Sequence, residues 1–518
     1  MPVENMRTIV IGGGPAGLAA AYQISKETMG VQVFEAADCV GGLARSIKLW
    51  GQTVDLGPHR FFSQDRRVNE LWLEVAGQDY AMVNRQTRIL YQKKLFKYPL
   101  ESFDALGKLG LVEAARCVAS YVKECRGSKV EGRKPGAPSS RSSPPVGEKM
   151  TNSESFEDWV CHRFGRRLFE IFFKNYSEKL WGISCKELDA DFAAQRIKQF
   201  SLSAAIKAAL LPGGGKKHRT LVDEFAYPTG GSGMVYERMA EAIRQRGGQV
   251  HLNTPVRKVL VERGRVVGIE LARGGLSSSG DQVGRVTPCP TEVERLACDQ
   301  VISTMPLTTL VRQLDGVPPE IVKACGQLEF RNTILVYLEV LNENPFPDNW
   351  IYVHSPDLQF GRVTNFRNWV PQLYGDSANA ILALEYWCNA NDEFWQRDEQ
   401  VLIAQARDEI VKSGLVSDAR KLGRSFVFKI PKCYPVYRRG YREHLRLIKD
   451  YLSTISGLQV IGRYGSFKYN NQDHSILMGR LAAENVLSAK QNDLWTVNSD
   501  YDDYQEACSI TETGLVAT

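Results

Sequence analysis

Three glycines near the start of the chain have the spacing of a turn that binds a dinucleotide. Gly12, Gly14 and Gly17 follow the apolar run 7–11, and Glu35 ends the next apolar run. In such a turn the first glycine permits a tight bend, the second lets the backbone approach a pyrophosphate, and the third lets a helix pack on a strand. The start of that helix attracts the anion, and the acid can bind a ribose hydroxyl. The pattern predicts a dinucleotide site rather than a glycine-rich turn that binds nothing.

A second glycine-containing segment follows the acid. Residues 41–46 read GGLARS, a glycine pair followed by an arginine and a hydroxyl. We expect this segment to wrap around the far half of a long dinucleotide, since its glycines allow close approach and its polar groups can bind anionic oxygens. The cofactor-binding residues that it contributes are Gly42, Leu43, Arg45 and Ser46.

A polar block near the end of the chain is the other place where chemistry could occur. Residues 462–475 read GRYGSFKYNNQDHS and precede the apolar run 476–487. Polar residues before a helix start place N–H donors and a positive dipole end where an anion or a flavin carbonyl could bind. Asp473 is expected to cap that helix, which is compatible with binding. The expected cofactor-binding residues of this block are Gly462, Arg463, Asn471, Gln472, Asp473, His474 and Ser475.

The elements that must position these groups predict an α/β fold with a discontinuous Rossmann-type domain. Strands are expected at 7–11, 31–34, 251–259, 266–271 and 299–305, and a second sheet at 334–339 and 380–387. Residues 126–154 are rich in Pro, Ser and Gly and are predicted to be disordered. The predicted dinucleotide-binding domain comprises 1–60, 220–315 and 455–490. The mixed α/β substrate domain with its helical insertion comprises 61–219 and 316–454, and 491–518 form the C-terminal tail.

Composition limits the function classes. The chain has 518 residues with a net charge of +6 and no long cationic arm, which argues against a nucleic-acid partner. Its 11 cysteines form no CxxC pair, and the first strand begins within ten residues of Met1. These features predict a reducing, cytoplasmic location without a structural metal or a secretory signal. No run of about 18 apolar residues occurs, so no membrane span is predicted.

The glycine-rich segments resemble those of the superfamily of FAD-binding amine oxidases, protoporphyrinogen oxidases and UDP-galactopyranose mutases. The block 462–475 is most similar to eukaryotic-type mutases, which carry GRFGSW(K/R)Y, a spacer and NQDHS. The resemblance continues through DLGPHRFFS at 55–63, FAAQR at 192–196, RVTNFRNW at 362–369 and CYP at 433–435. It therefore covers most of the chain, in the family's order, although protoporphyrinogen-oxidase-like proteins share several of these blocks.

The resemblance implies roles for individual residues. His59 would face the flavin, Val256 would meet the adenine, and Arg196 and Arg362 would clamp a substrate diphosphate with charge-assisted hydrogen bonds. The implied catalytic residues are His59, Arg196 and Arg362, and the implied substrate-binding residues are Tyr434, Tyr469, Trp369 and Asn471. Trp369 departs from the family, because the mutases carry a tyrosine there. Without the resemblance, His59 could equally cap a turn and Arg196 could be a solvated helix residue.

The resemblance implies FAD, with NAD(P)H as a candidate reductant, and a small-molecule substrate. The leading hypothesis is a mutase-like enzyme that interconverts pyranose and furanose rings of a nucleotide-linked sugar. The alternative is a FAD-dependent oxidoreductase that oxidises an amine, a porphyrinogen or a polyene. A flavin-binding protein without turnover is a third hypothesis. The sequence leaves the oligomeric state open.

Overall fold

The computed structural model describes residues 6–130, 154–190, 224–273, 292–488, 490–498 and 508–517. Residues 131–153 of the predicted disordered segment lie outside this description. The prediction was wrong for residues 126–130, because the helix Leu111–Val130 continues through them. These five residues, RGSKV, contain no proline to stop the helix, and the first proline follows only at Pro135.

Five parallel strands form the sheet that we call the nucleotide sheet. Its central strand, Thr8–Ile11, is buried at every position, as expected for a parallel sheet covered on both faces. The strands come from the beginning, the middle and the end of the chain, which confirms the discontinuous α/β architecture. In spatial order they are Leu458–Val460, Gln300–Ser303, Thr8–Ile11, Val31–Phe34 and Gln249–His251.

Three helices pack around this sheet. Helix Pro15–Ile24, which we call the glycine helix, contacts both Gly233–Gln245 and Gln472–Leu487. Its contact with the last helix is so close that a Cβ on Gly479 would lie 2.3 Å from the Ala16 carbonyl oxygen. A three-stranded antiparallel sheet extends this half of the molecule with strands Val256–Glu262, Arg265–Arg273 and Glu292–Ala297.

A seven-stranded mixed sheet, which we call the substrate sheet, forms the second layer. The two strands predicted for it at 334–339 and 380–387 are confirmed: they pair antiparallel, with Leu335 opposite Glu385. Strand Ala380–Cys388 is buried at every position, so Glu385 is a carboxylate inside the protein. In spatial order the strands are Leu422–Val436, Glu329–Val340, Ala380–Cys388, Arg362–Asn365, Trp350–Val353, Thr87–Tyr91 and Lys94–Lys97.

Helices and small hairpins complete the fold. The helices are Arg66–Ala76, Ser102–Leu109, Leu111–Val130, Phe156–Phe164, Arg166–Phe169, Glu170–Lys174, Asn175–Trp181, Leu307–Arg312, Pro319–Cys325, Glu393–Gln396, Glu399–Lys412, Tyr441–Ser453 and Gly462–Gly465. Three-residue 3₁₀ helices occupy Gly42–Ala44, Phe366–Asn368, Pro371–Leu373 and Ala419–Lys421. The two-stranded pairs are Ser46–Leu49 with Gln52–Asp55, Tyr80–Asn84 with Glu224–Pro228, and Cys508–Thr511 with Gly514–Ala517.

Strand Tyr80–Asn84 belongs to the predicted substrate domain and strand Glu224–Pro228 to the predicted dinucleotide-binding domain, yet the two strands pair with each other. The domain boundaries that we infer from the sequence stay a prediction. In the described part of the chain, no helix combines the length and the apolar character needed to cross a membrane.

Candidate active site

A cavity of about 1200 Å³ is lined by residues of both sheets. From the nucleotide sheet and its turns come Gly12, Gly14 and Glu35, and from the substrate sheet come Arg362 and Tyr434. Further predicted residues in the lining are Gly42, Leu43, His59, Val256, Gly462, Arg463, Tyr469, Asn471, Gln472, Asp473 and Ser475. Segments far apart in the sequence thus meet around one space.

The glycine turn leaves room at the start of the glycine helix. Gly12 has a φ of +101°, which only glycine adopts without strain. Within the described residues, no side chain caps the N-terminus of the glycine helix at Gly14. The first N–H groups of this helix are therefore left without a capping side chain. Gly42 lies opposite, where a Cβ would come within 3.1 Å of the Gly14 Cα. This cradle of backbone fits a pyrophosphate.

The Glu35 carboxylate is held in place by two backbone groups. It accepts hydrogen bonds from the N–H of Gly13 at 2.6 Å and from the N–H of Ala37 at 2.8 Å. A carboxylate has about four acceptor positions, so it retains capacity for ribose hydroxyls. Glu35 and Val256 both line the cavity, as a site for the adenosine half of FAD requires.

Four of the predicted cofactor residues, Gly17, Arg45, Ser46 and His474, are not part of the lining. Gly17 packs so closely on the turn that a Cβ would lie 2.0 Å from the Gly12 oxygen. The Ser46 hydroxyl donates to Asp55 at 2.6 Å, and the Arg45 guanidinium donates to the Cys39 sulfur at 3.1 Å. These three contacts support the shape of the cradle from outside.

The start of the last helix joins the two ends of the chain. The predicted cap, Asp473, was wrong: Asn471 caps the helix and forms a reciprocal pair with His474, so the helix begins at Gln472. The buried amide of Gln472 donates to the carbonyl oxygens of His59 at 3.0 Å and Arg60 at 3.4 Å. One side chain therefore fixes the His59 segment against the C-terminal block.

Arg463 is the cation of this block that lines the cavity. Its guanidinium lies 4.6 Å from the Tyr434 ring centroid and 4.2 Å from that of Tyr469. Nε donates to the Cys433 carbonyl at 3.0 Å and Nη1 to the Asn470 carbonyl at 3.3 Å. Nη2 is buried without a hydrogen-bond partner among the described residues. A buried donor without a partner is costly, so this atom marks a place for an acceptor.

Arg362 is held differently. Nε and Nη2 donate to the two oxygens of the buried Glu385 carboxylate, each at 2.6 Å. Nη2 also lies 3.4 Å from the Tyr434 hydroxyl. Glu385 therefore neutralises the charge of Arg362 and fixes its fork, which leaves a smaller part of it for a ligand.

His59 lies beside these cations as a neutral imidazole. Burial, together with the charges of Arg362 and Arg463, lowers its pKa to about 3. Its Nδ1 is buried without a hydrogen-bond partner among the described residues. A neutral imidazole can donate from one nitrogen and accept at the other, so His59 can orient a polar group in the cavity.

The depressed pKa of His59 predicts an acid sensitivity. The unfolded chain binds a proton near pH 6.5 but the folded chain only near 3, so the free energy of unfolding falls as pH drops below about 6.5. Between pH 7 and 5, the free energy of unfolding measured in urea should fall by about 2 kcal/mol less in His59→Gln than in the parent protein. The parent protein, unfolded alongside at each pH, is the reference. A parental pH dependence in His59→Gln would contradict a neutral, buried His59.

Of the residues predicted to contact the substrate, Trp369 is described and is not brought to the cavity. Arg196 lies outside the described residues, so its role stays a prediction. Trp369 is 6% exposed and packs in the core against Phe225 and Tyr227, with ring centroids 5.3 and 4.8 Å away. A side chain enclosed by other aromatics cannot contact a ligand, and the structure places Trp369 outside the lining.

The sequence reasoning missed several lining residues. Arg60, Tyr98 and Tyr352 face the cavity, as does Trp350. Arg60 could have been noticed as a cation between His59 and the aromatic pair at 61–62. Nothing in the local sequence marks Tyr98 or Tyr352, because only the pairing of distant strands brings them to the cavity.

Comparison with known proteins agrees with this geometry. The chain is 23% identical over 411 residues to the coproporphyrinogen III oxidase of Mycobacterium tuberculosis, covering 78% of this chain and 81% of that protein. It is 25% identical over 296 residues to the neurosporene-forming phytoene desaturase of Cereibacter sphaeroides, covering 53% and 51%. The fold is similar to that of reduced UDP-galactopyranose mutase, with a TM-score of 0.76, 21% identity and coverage of 95% and 96%. A putative protoporphyrinogen oxidase from Exiguobacterium gives a TM-score of 0.65.

The family match covers the substrate sheet and every strand of the nucleotide sheet except Thr8–Ile11, which precedes it. The flavin-containing amine oxidoreductase family matches residues 15–487, which include most of the cavity lining. The glycine cradle, the anchored Glu35 and the uncapped helix start fit the dinucleotide part of its flavin cofactor. This chain is therefore a flavoenzyme that belongs to the flavin-containing amine oxidoreductase family.

Proposed function

We propose that this enzyme interconverts the pyranose and furanose rings of a nucleoside-diphosphate sugar. The observation that carries the proposal is Arg463, which lines the cavity beside the stacked rings of Tyr434 and Tyr469 and has one buried N–H group without a partner among the described residues. A diphosphate bears two negative charges and several acceptor oxygens, which match such a donor. The fold similarity to UDP-galactopyranose mutase supports the same assignment.

The cofactor would be held by the backbone cradle and by the start of the last helix. Gly14 and Gly42 would face the pyrophosphate and Glu35 the ribose, while Gln472 and Asp473 would lie near the ring system. When bound and reduced, FAD supplies an electron-rich centre for chemistry at the anomeric carbon. We further propose NAD(P)H as the reductant of the flavin. Following flavin absorbance after addition of NADH or NADPH tests this.

The chain's own residues would bind and orient the sugar nucleotide. Arg463 would hold the diphosphate, and burial raises the pKa of Tyr434 well above its usual value, so its hydroxyl remains a donor. Arg362 would add a contact from the part of its fork that Glu385 leaves available. Binding the diphosphate at one point holds the sugar near the cofactor, and this positioning is how proximity contributes to catalysis. The neutral His59 would orient a hydroxyl group.

The diphosphate assignment predicts the effect of removing Arg463. We expect Arg463→Ala to weaken UDP binding by roughly 1.5–3 kcal/mol, the value of a charge-assisted hydrogen bond, when measured by calorimetry on the FAD-loaded protein. Arg420→Ala is the control, because Arg420 is 91% exposed and pairs with Asp418. Unchanged UDP affinity in Arg463→Ala, or no UDP binding in the parent protein, would refute the nucleotide-sugar proposal.

The second candidate function is oxidation of a small organic substrate. The similarity to coproporphyrinogen III oxidase over 78% of the chain favours it, because arginines in the cavity could also bind carboxylates. The two reactions differ in electron balance. A mutase needs reduced flavin and converts its substrate without consuming oxygen. An oxidase instead reduces flavin or oxygen as it oxidises its substrate. Product analysis with dithionite-reduced enzyme, alongside oxygen-electrode traces with coproporphyrinogen III, separates them.

A further inference from the structure

Arg60 is a third arginine in the cavity lining, beside Arg362 and Arg463, and the proposed function gives it no role. It follows His59 in the chain and lines the cavity. Its Nη1 is buried without a hydrogen-bond partner, and it forms no ion pair with any described residue. Burial lowers its pKa, which remains that of a cation at neutral pH. A buried guanidinium without a carboxylate is unfavourable unless a ligand completes it.

The surroundings of Arg60 form a donor-rich corner. The charged and phenolic groups that act on its pKa include Tyr352, Arg85, Tyr98 and Asp473. The rings of Tyr98 and Tyr352 lie 4.8 Å apart, and Arg85 lies 6.0 Å from the Tyr98 ring with a buried Nε that has no partner among the described residues. Two cations and two phenols thus outnumber the single carboxylate. The corner is built to accept an anion.

This corner adjoins the place proposed for the diphosphate, because Tyr352 stands directly opposite Arg362 in the substrate sheet. Arg463, beside Tyr434 and Tyr469, is assigned to the diphosphate, and Glu385 takes up most of the Arg362 fork. The cradle for the cofactor pyrophosphate lies on the nucleotide sheet, whereas Tyr352 belongs to the substrate sheet. An anion at Arg60 would therefore lie beside the diphosphate, within reach of the sugar attached to it.

Resting on the proposed function, we infer that the substrate is a nucleoside-diphosphate sugar whose sugar carries a carboxylate, and that Arg60 binds that carboxylate. Beyond the diphosphate and the nucleoside, only the sugar of such a molecule can bear another anionic group. A guanidinium fork matches a carboxylate through two parallel hydrogen bonds. The hydroxyls of Tyr98 and Tyr352 would add donors, and Arg85 would reinforce the positive potential from behind.

The test compares three ligands on the FAD-loaded enzyme by calorimetry: UDP, UDP-galactose and UDP-galacturonic acid. We expect the parent protein to bind UDP-galacturonic acid roughly tenfold or more tighter than UDP-galactose, as one charge-assisted contact provides. Arg60→Gln should abolish this preference and leave the affinity for UDP within about twofold. Arg60→Lys, which keeps the charge but loses the fork, should retain part of the preference.

The control is Arg66→Gln, because Arg66 is exposed and pairs with Glu70 outside the cavity. It should behave as the parent protein. Equal affinities of the parent protein for UDP-galactose and UDP-galacturonic acid would overturn the inference. Binding of UDP would still support the proposed function. An equal loss of UDP affinity in Arg60→Gln would place Arg60 in the diphosphate site, and a shifted flavin potential with an unchanged preference would place it on the cofactor. Absence of UDP binding, with Arg60-dependent binding of coproporphyrinogen III, would refute both proposals.

Discussion

Replacing Gly17 with alanine should destabilise the protein by roughly 3 kcal/mol or more, because the new methyl group has no space. Its Cβ would lie 2.0 Å from the Gly12 carbonyl oxygen and 3.2 Å from a Val10 methyl group. The nearest atom belongs to the backbone of a buried turn, so it cannot rotate away as a side chain would. Overpacking of this kind forces backbone shifts that cost about 1–3 kcal/mol, and more where nothing can yield.

Gly14 provides the matched comparison three residues earlier. Its φ is −83°, and the nearest atom to an added Cβ is the Gly42 Cα at 3.8 Å, an ordinary contact. We expect Gly14→Ala to unfold in urea like the parent protein, yet to bind FAD roughly 10-fold to 100-fold more weakly, since the methyl group would occupy space for the pyrophosphate. The measurements are urea unfolding of the apoprotein and fluorescence titration with FAD.

The two variants separate the roles of the two glycines. Gly17→Ala should lower the stability of the protein even without FAD, whereas Gly14→Ala should change only the FAD titration. A stable Gly17→Ala apoprotein would show that the helix can move away from the turn. Normal FAD affinity in Gly14→Ala would mean that the pyrophosphate does not approach this glycine.

The features of the fold that the sequence predicted correctly are those that short segments determine. The glycine turn, the place of Glu35 directly after the second strand and the two substrate strands each depend on spacing or periodicity within a few residues. Trp369 illustrates the limit: the resemblance placed it by alignment, but its indole packs against Phe225 from a distant strand. The same limit applies to Arg60, whose surroundings come from three separate segments.

The pairing of Arg362 with Glu385 shows most clearly what a sequence cannot supply. The resemblance assigned Arg362 to a diphosphate, and nothing near residue 385 marks a partner for it. Strand register decides the matter, because Arg362 stands directly opposite Glu385 in the substrate sheet. At this position both charged side chains are removed from water, with side-chain exposures of 14% and 2%.

Removing one partner of this pair should be far more damaging than removing both. Arg362→Ala leaves the Glu385 carboxylate buried without its cation, and breaking a buried pair in this way costs about 3–5 kcal/mol. The double variant Arg362→Met/Glu385→Leu replaces both charges by apolar groups of similar size, and such replacements are close to neutral for stability. We therefore expect urea unfolding to show a large loss for each single variant and recovery in the double variant.

The double variant also isolates the contribution of Arg362 to binding. If Arg362 contacts the diphosphate, the double variant should bind UDP more weakly than the parent protein, even though the double variant is as stable as the parent. The weakening should be smaller than in Arg463→Ala, because Glu385 already occupies two donors of the Arg362 fork. Parental UDP affinity in the stable double variant would make the pair purely structural. Arg463 would then be the only one of the two arginines that contacts the nucleotide.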